Sequence, residues 1–188
     1  MLNQMPFSVQ PIFFIFIALS FFCLPAQWVF GWLIAAGIHE LFHLLMMWIL
    51  KIQIRSIRLS VSGAVIATGA VTSFQEFLCA LAGPMGGLLG LLLTKVMPHV
   101  AVCAAIQSLY NLLPVYPLDG GRAIKCMVTH FLGGELADRI TKALTIIVLF
   151  LLGSSAVLVT YRYQLGLLPL FPVILLLCSV YKNTLQRG

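Results

Sequence analysis

His39-Glu40-Leu41-Phe42-His43 combines the residue types of a zinc peptidase centre at the spacing that chemistry needs. On a helix, two histidines four apart lie on one face and can grip one ion. A glutamate directly after the first reaches the water that such an ion activates. The flanks, Trp28–Ile38 and Leu44–Leu50, carry no charged side chain. A charge at the centre of a bilayer costs roughly 2.5–3.5 kcal/mol on insertion scales. Three polar groups in five residues of such a stretch therefore need a compensating role, and a metal site supplies one. The alternative is a pair of intramembrane histidines bonded to neighbouring helices, with Glu40 paired to a base. The placement implies that the substrate is itself a membrane-embedded polypeptide.

Two histidines leave a catalytic zinc one protein ligand short, since such sites take three and keep a fourth position open. Lys95 and His99 fall at the outer end of an apolar segment. Glu76 begins another, and Glu135 and Asp138 fall in a polar loop. Cys126 and His130 are four apart, but an ordinary amphipathic helix explains them as well. Asp119 stands out. It follows Asn111-Leu112-Leu113-Pro114-Val115-Tyr116-Pro117-Leu118 and precedes Gly120-Gly121-Arg122. Two prolines break the helix before it and two glycines free the backbone after it, so the carboxylate can face a cavity. Judged on its neighbours alone, an aspartate that caps the next short helix at the interface is the stronger reading.

The elements that must position these residues are apolar spans. The chain is 61% hydrophobic and 9% charged, far from the ~25% charge of soluble domains. About 20 apolar residues cross about 30 Å of hydrocarbon. Six spans are expected, at 7–24, 28–50, 74–95, 99–117, 138–160 and 165–182. The first is expected to be retained rather than cleaved as a signal, because residues 1–10 hold no basic side chain. Residues 52–72 differ: Ile54, Ile57, Leu59, Val61 and Val65 give a partly alternating pattern broken by Gly63 and Gly69. That pattern suits a short β-hairpin or a re-entrant segment, with an ordinary cytosolic loop as the alternative. The expected fold is thus an all-α polytopic membrane protein of about six transmembrane helices with a hairpin or re-entrant segment near 52–72. A single membrane-embedded domain over 1–188 is expected, its motif-bearing core at about 28–125, with no soluble accessory domain.

Eleven Lys and Arg against five Asp and Glu give a net charge of +6. They form no basic stripe interleaved with aromatics, so nucleic acid is not an expected partner. With the N-terminus inside, only Lys95 and Arg162 fall outside, which predicts both termini in the cytosol. His39 and His43 then lie in the cytosolic half of their span, and Asp119 approaches the same depth. Lys51, Arg55 and Arg58 suit orientation and contact with anionic lipid. The five cysteines are scattered without a CxxC, which excludes a disulfide frame or cysteine zinc site.

HExxH in a transmembrane helix, followed by Asn111-x-x-Pro114-x-x-Pro117-x-Asp119-Gly120, resembles the site-2 protease family of intramembrane zinc metalloproteases. The form of the second motif is most similar to the bacterial branch that includes the sporulation protease processing a membrane-tethered sigma-factor precursor. Ala82-Gly83-Pro84 in the third span also fits. The resemblance covers about residues 28–125. It implies one zinc per chain held by His39, His43 and Asp119, with Glu40 as the catalytic residue. Asn111 matches the asparagine that helps hold substrate or oxyanion. It further implies a bacterial cell membrane, and a membrane-tethered protein substrate such as a transcription-factor precursor or an anti-sigma factor. With no soluble sensing domain expected, control is expected to come from substrate presentation or from a regulatory partner in the membrane.

From the residue types, Glu40 acts as general base toward water activated by zinc, then returns the proton to the leaving amine. Residues 52–72 are expected to bind an extended substrate stretch by edge pairing. Two other classes compete. A metal transporter needs a polar pathway across the whole bilayer, and Trp28, Phe30 and Leu33 offer none. A catalytically inactive scaffold of the same family has no need of both Glu40 and Asp119.

Overall fold

The computed structural model describes residues 7–60, 63–164 and 168–185. Among them are a three-stranded sheet and seven α-helices. The chain divides into two compact units, Met1–Leu112 and Leu113–Gly188.

The first unit opens with β1 (Phe7–Val9) and α1 (Pro11–Cys23), in which Pro11 sits where its missing N–H costs nothing. Pro25 drives Leu24 into an extended conformation (φ −129°, ψ 148°) and so ends α1. The HExxH helix α2 (Ala26–Ile49) follows at once. Then come β2 (Ile54–Ser60) and β3 (Gly63–Thr68), paired antiparallel with Ile57 opposite Ile66 and Leu59 opposite Ala64. Of the readings for 52–72, the hairpin is the one that forms; Val61 lies outside the described residues. β1 adds to β2 in parallel, giving the order β1-β2-β3 with β3 at an edge. The first expected span therefore starts late: residues 7–9 belong to the sheet. Three residues at the head of a long apolar run carry no alternation that could have shown it.

Thr72 opens α3 (Ser73–Leu89) with a capping box. Its hydroxyl accepts from the Gln75 amide at 3.2 Å while the Gln75 side chain accepts from the Thr72 N–H at 3.0 Å. Pro84 sits inside this helix without ending it, and a 3₁₀ turn extends it from Gly90 to Leu93. Helix α4 (Pro98–Asn111) starts on a proline and stops short of residue 117, where Pro114 and Pro117 forbid its continuation. Helices α2, α3 and α4 pack on one another through small residues, with Ala35, Ala80, Ala101 and Ala104 almost wholly buried.

The second unit contains α5 (Asp119–Leu132), α6 (Gly134–Tyr163) and α7 (Phe171–Leu185). Gly133, at φ +88°, makes the sharp break between α5 and α6. Lys125 on α5 pairs with Asp138 on α6 at 2.5 Å and fixes that corner.

Among the described residues, three helical segments are long and apolar enough to cross a membrane: Ala26–Ile49, Ser73–Leu93 and Gly134–Tyr163. The other three expected spans form helices α1, α4 and α7 of 13, 14 and 15 residues. At 1.5 Å per residue these reach only about 20–22 Å, short of the hydrocarbon thickness. Large apolar side chains face outward, with Phe22 (94%), Leu92 (81%), Trp48 (76%) and Phe150 (73%) exposed, while alanine and glycine make up much of the buried interior. That distribution inverts the one found in water and marks a membrane protein.

Candidate functional site

Both histidines of α2 face inward, His39 with 4% and His43 with 7% of its surface exposed. Their rings meet edge to face, and the two Nε2 atoms stand 3.1 Å apart. The tautomer of His43 follows from its other nitrogen. Nδ1 lies 2.7 Å from the carbonyl of Cys79, which can only accept, so Nδ1 carries the proton and Nε2 presents a lone pair. Such a bond from the distal nitrogen is the usual way a ligating imidazole is oriented. At the end of α4, the Asn111 side-chain nitrogen lies 3.4 Å from His39 Nε2. An amide nitrogen has only hydrogens to offer, so His39 Nε2 is likewise met as an acceptor. Two acceptor nitrogens converging at that distance are of the type and spacing that could hold a cation.

Helix α3 makes the space. A Cβ built on Gly83 would stand 2.2 Å from His43 Nε2 and 2.8 Å from His39 Nε2. One on Gly86 would stand 2.1 Å from the Phe42 ring. Glycine at both positions lets α3 come up against the HExxH face and leaves the volume over the two nitrogens free. The residues of this unit thus suit a divalent ion by donor type, tautomer and room.

Glu40, half-buried, meets the hairpin: Oε1 accepts from the Ala64 N–H at 3.1 Å. Gly63, the first residue of β3, precedes this N–H at φ +107°, where a side chain would be strained. The first unit therefore brings together His39, Glu40, His43 and Asn111, four of the residues expected from sequence. His99 is elsewhere. Its ring packs edge-on against Trp28, about 16 Å of helix before His39.

Asp119 belongs to the second unit. It is the first residue of α5; the capping position is Leu118, which makes no side-chain cap bond, so Asp119 is not the cap. Its carboxylate favours the positive end of the helix, and Arg122 Nη1 is 3.9 Å from Oδ1. The glycines after it have a steric purpose. A Cβ on Gly121 would stand 2.4 Å from Tyr116 N, so the 113–118 loop folds down onto the first turn of α5. That loop includes a cis Tyr116–Pro117 bond. It is tied to α6 by the Tyr116 N–H donating to Thr145 Oγ1 at 3.1 Å, and Lys125 Nζ lies over the Tyr116 ring. Cys126 is buried and His130 exposed.

Sequence reasoning missed the Cys79 carbonyl and the Ala64 N–H, both main-chain groups whose roles no side chain announces. Gly63 and Gly83 were visible only as breaks or as close packing.

Fold and site together define a helical membrane protein whose core holds a buried pair of histidines with their Nε2 atoms 3.1 Å apart. No protein-family model and no curated protein matches the sequence. Among solved structures, the chain shares its fold with the site-2 protease from Methanocaldococcus jannaschii, with a TM-score of 0.62 and 17% identity. The match covers 96% of this chain and 91% of that one.

Proposed function

We propose that this protein is an intramembrane zinc metalloprotease that hydrolyses a peptide bond in or near a transmembrane segment of a membrane-tethered protein. The observation that carries the reading is the convergence of the His39 and His43 Nε2 atoms at 3.1 Å inside a membrane helix, with Gly83 leaving room above them. The fold shared with a site-2 protease supports it.

His39, His43 and Asp119 would hold the ion, a set of two imidazoles and one carboxylate that suits a catalytic zinc. Bound zinc would supply Lewis acidity, polarising a peptide carbonyl and making water acidic enough to lose a proton near neutral pH. Glu40 takes that proton and passes it to the departing amine. Asn111 directs its amide N–H groups at the volume beside His39, where negative charge develops on the attacked carbonyl. The surrounding apolar helices exclude bulk water, which strengthens each of these interactions.

The charge distribution supports several passes with both termini cytosolic, and the motifs support a bacterial cell membrane. The substrate class would include transcription-factor precursors and anti-sigma factors, with access set by how the substrate is presented or by a membrane partner. The β3 edge is the surface for pairing with an unwound substrate stretch.

The test is zinc per chain in detergent-purified protein after mild chelator washing, wild type beside Asp119→Ala. One retained zinc that Asp119→Ala loses supports the three-ligand site. A folded wild type that holds none overturns it.

A further inference from the structure

Glu40 must do more than be present. A glutamate on a helix has several rotamers, and a general base works only when one oxygen is aimed at the reacting water. Nothing on α2 itself sets that aim. The contact that does so comes from the sheet: the Ala64 N–H donates to Oε1 at 3.1 Å. Ala64 stands opposite Leu59 in the β2–β3 ladder, yet its N–H points away from β2 toward the free edge of the sheet. An edge N–H at membrane depth is costly unless something accepts from it, and so is a carboxylate there unless something donates to it. Each group answers the need of the other. Gly63, in the left-handed region at φ +107°, sets the direction of this N–H; a Cβ there would sit 3.4 Å from the same Oε1.

We propose that the Ala64 main-chain N–H is a positioning group for Glu40: by holding Oε1 it leaves Oε2 as the proton acceptor, and so makes the base competent only while the hairpin is seated. This deepens the protease reading and rests on it. Ala64 does not touch the reacting atoms; it acts through Glu40.

The geometry permits a clean removal. Because the N–H takes no part in the β2–β3 ladder, Ala64→Pro deletes the donor at an edge position where proline is tolerated. The probe is a mixture of single-span transmembrane peptides in detergent, cleaved by the full chain with zinc bound. The expected result is a kcat lowered roughly 10–100-fold, the scale of a misaimed catalytic group, with KM and zinc content unchanged. Ala64→Ser, which keeps the N–H, restores the rate. Gly63→Ala, strained at this φ, lowers kcat in the same way if the proline variant fails to fold. A second readout needs no turnover: in metal-free protein, Glu40→Ala speeds hydrogen exchange at the Ala64 amide while that of Val65, whose pairing with Arg58 puts its N–H in the ladder, holds. Wild-type kcat in Ala64→Pro, or unchanged exchange at Ala64, overturns the positioning role alone. If wild type cleaves none of the peptides, the protease reading falls and takes this inference with it.

Discussion

Gly83 lies so close under His43 that a Cβ on it would stand 2.2 Å from Nε2. The atoms it would meet are the edge of the His43 ring and His39 Nε2, among them both imidazole nitrogens that would bind the metal, so even the smallest side chain here competes with the ion. Both rings are buried, and His43 is tethered to the Cys79 carbonyl, so neither can swing away freely. Gly83→Ala is therefore expected to weaken zinc binding roughly 10–100-fold, the scale seen when ligand orientation is disturbed. Competition against a chromogenic chelator measures it. Wild-type affinity in this variant would mean that the metal does not use the Nε2 atoms.

Glu40→Gln separates binding from chemistry. The amide is isosteric, and its oxygen can still accept from the Ala64 N–H, so helix and hairpin keep their contact. It cannot take a proton. Zinc should stay at one per chain while cleavage falls by about 10²–10⁴, the usual worth of a general base. Measurable turnover close to wild type would assign the proton transfer to another group.

These two residues also mark how far the sequence could be read. Glu40 and its flanking histidines were legible because HExxH joins spacing to chemistry, and an apolar setting makes three polar groups conspicuous. The hairpin was legible from the alternation around Ile57 and Leu59. Gly83 was visible as a packing glycine, but that it faces two imidazoles depends on the rotation of α3 against α2, which no local pattern encodes. Span lengths failed where prolines intervene: α4 ends at Asn111, and the apolar residues beyond it form the loop over α5. Strand β1 escaped because three residues are too few for a period to show.

Asn111 offers N–H groups beside His39 without taking part in metal ligation by type. A donor aimed where an oxyanion develops is used in the transition state and little in the ground state. Asn111→Ala should lower kcat about 10²–10³-fold, as loss of one oxyanion donor does, with KM and zinc content near wild type. Steady-state kinetics on a transmembrane peptide distinguishes this from a substrate-holding role, in which KM would rise and kcat would stay.

Thr145 tests the second unit by itself. Its buried hydroxyl accepts from the Tyr116 N–H at 3.1 Å and so ties the loop before Asp119 to α6. Valine has nearly the same shape, so Thr145→Val opens no cavity and removes only the acceptor. Loss of a buried hydrogen-bond partner costs about 1–3 kcal/mol, and thermal unfolding in detergent should start lower than in wild type. The loop leads straight into α5, so Asp119 loses definition with it. Zinc stabilises the folded state in proportion to its affinity; the upward shift in midpoint on adding zinc should therefore be smaller in Thr145→Val. A variant whose midpoint drops while its zinc-induced shift stays at the wild-type value would show that the tie supports α6 packing and has no hold on Asp119.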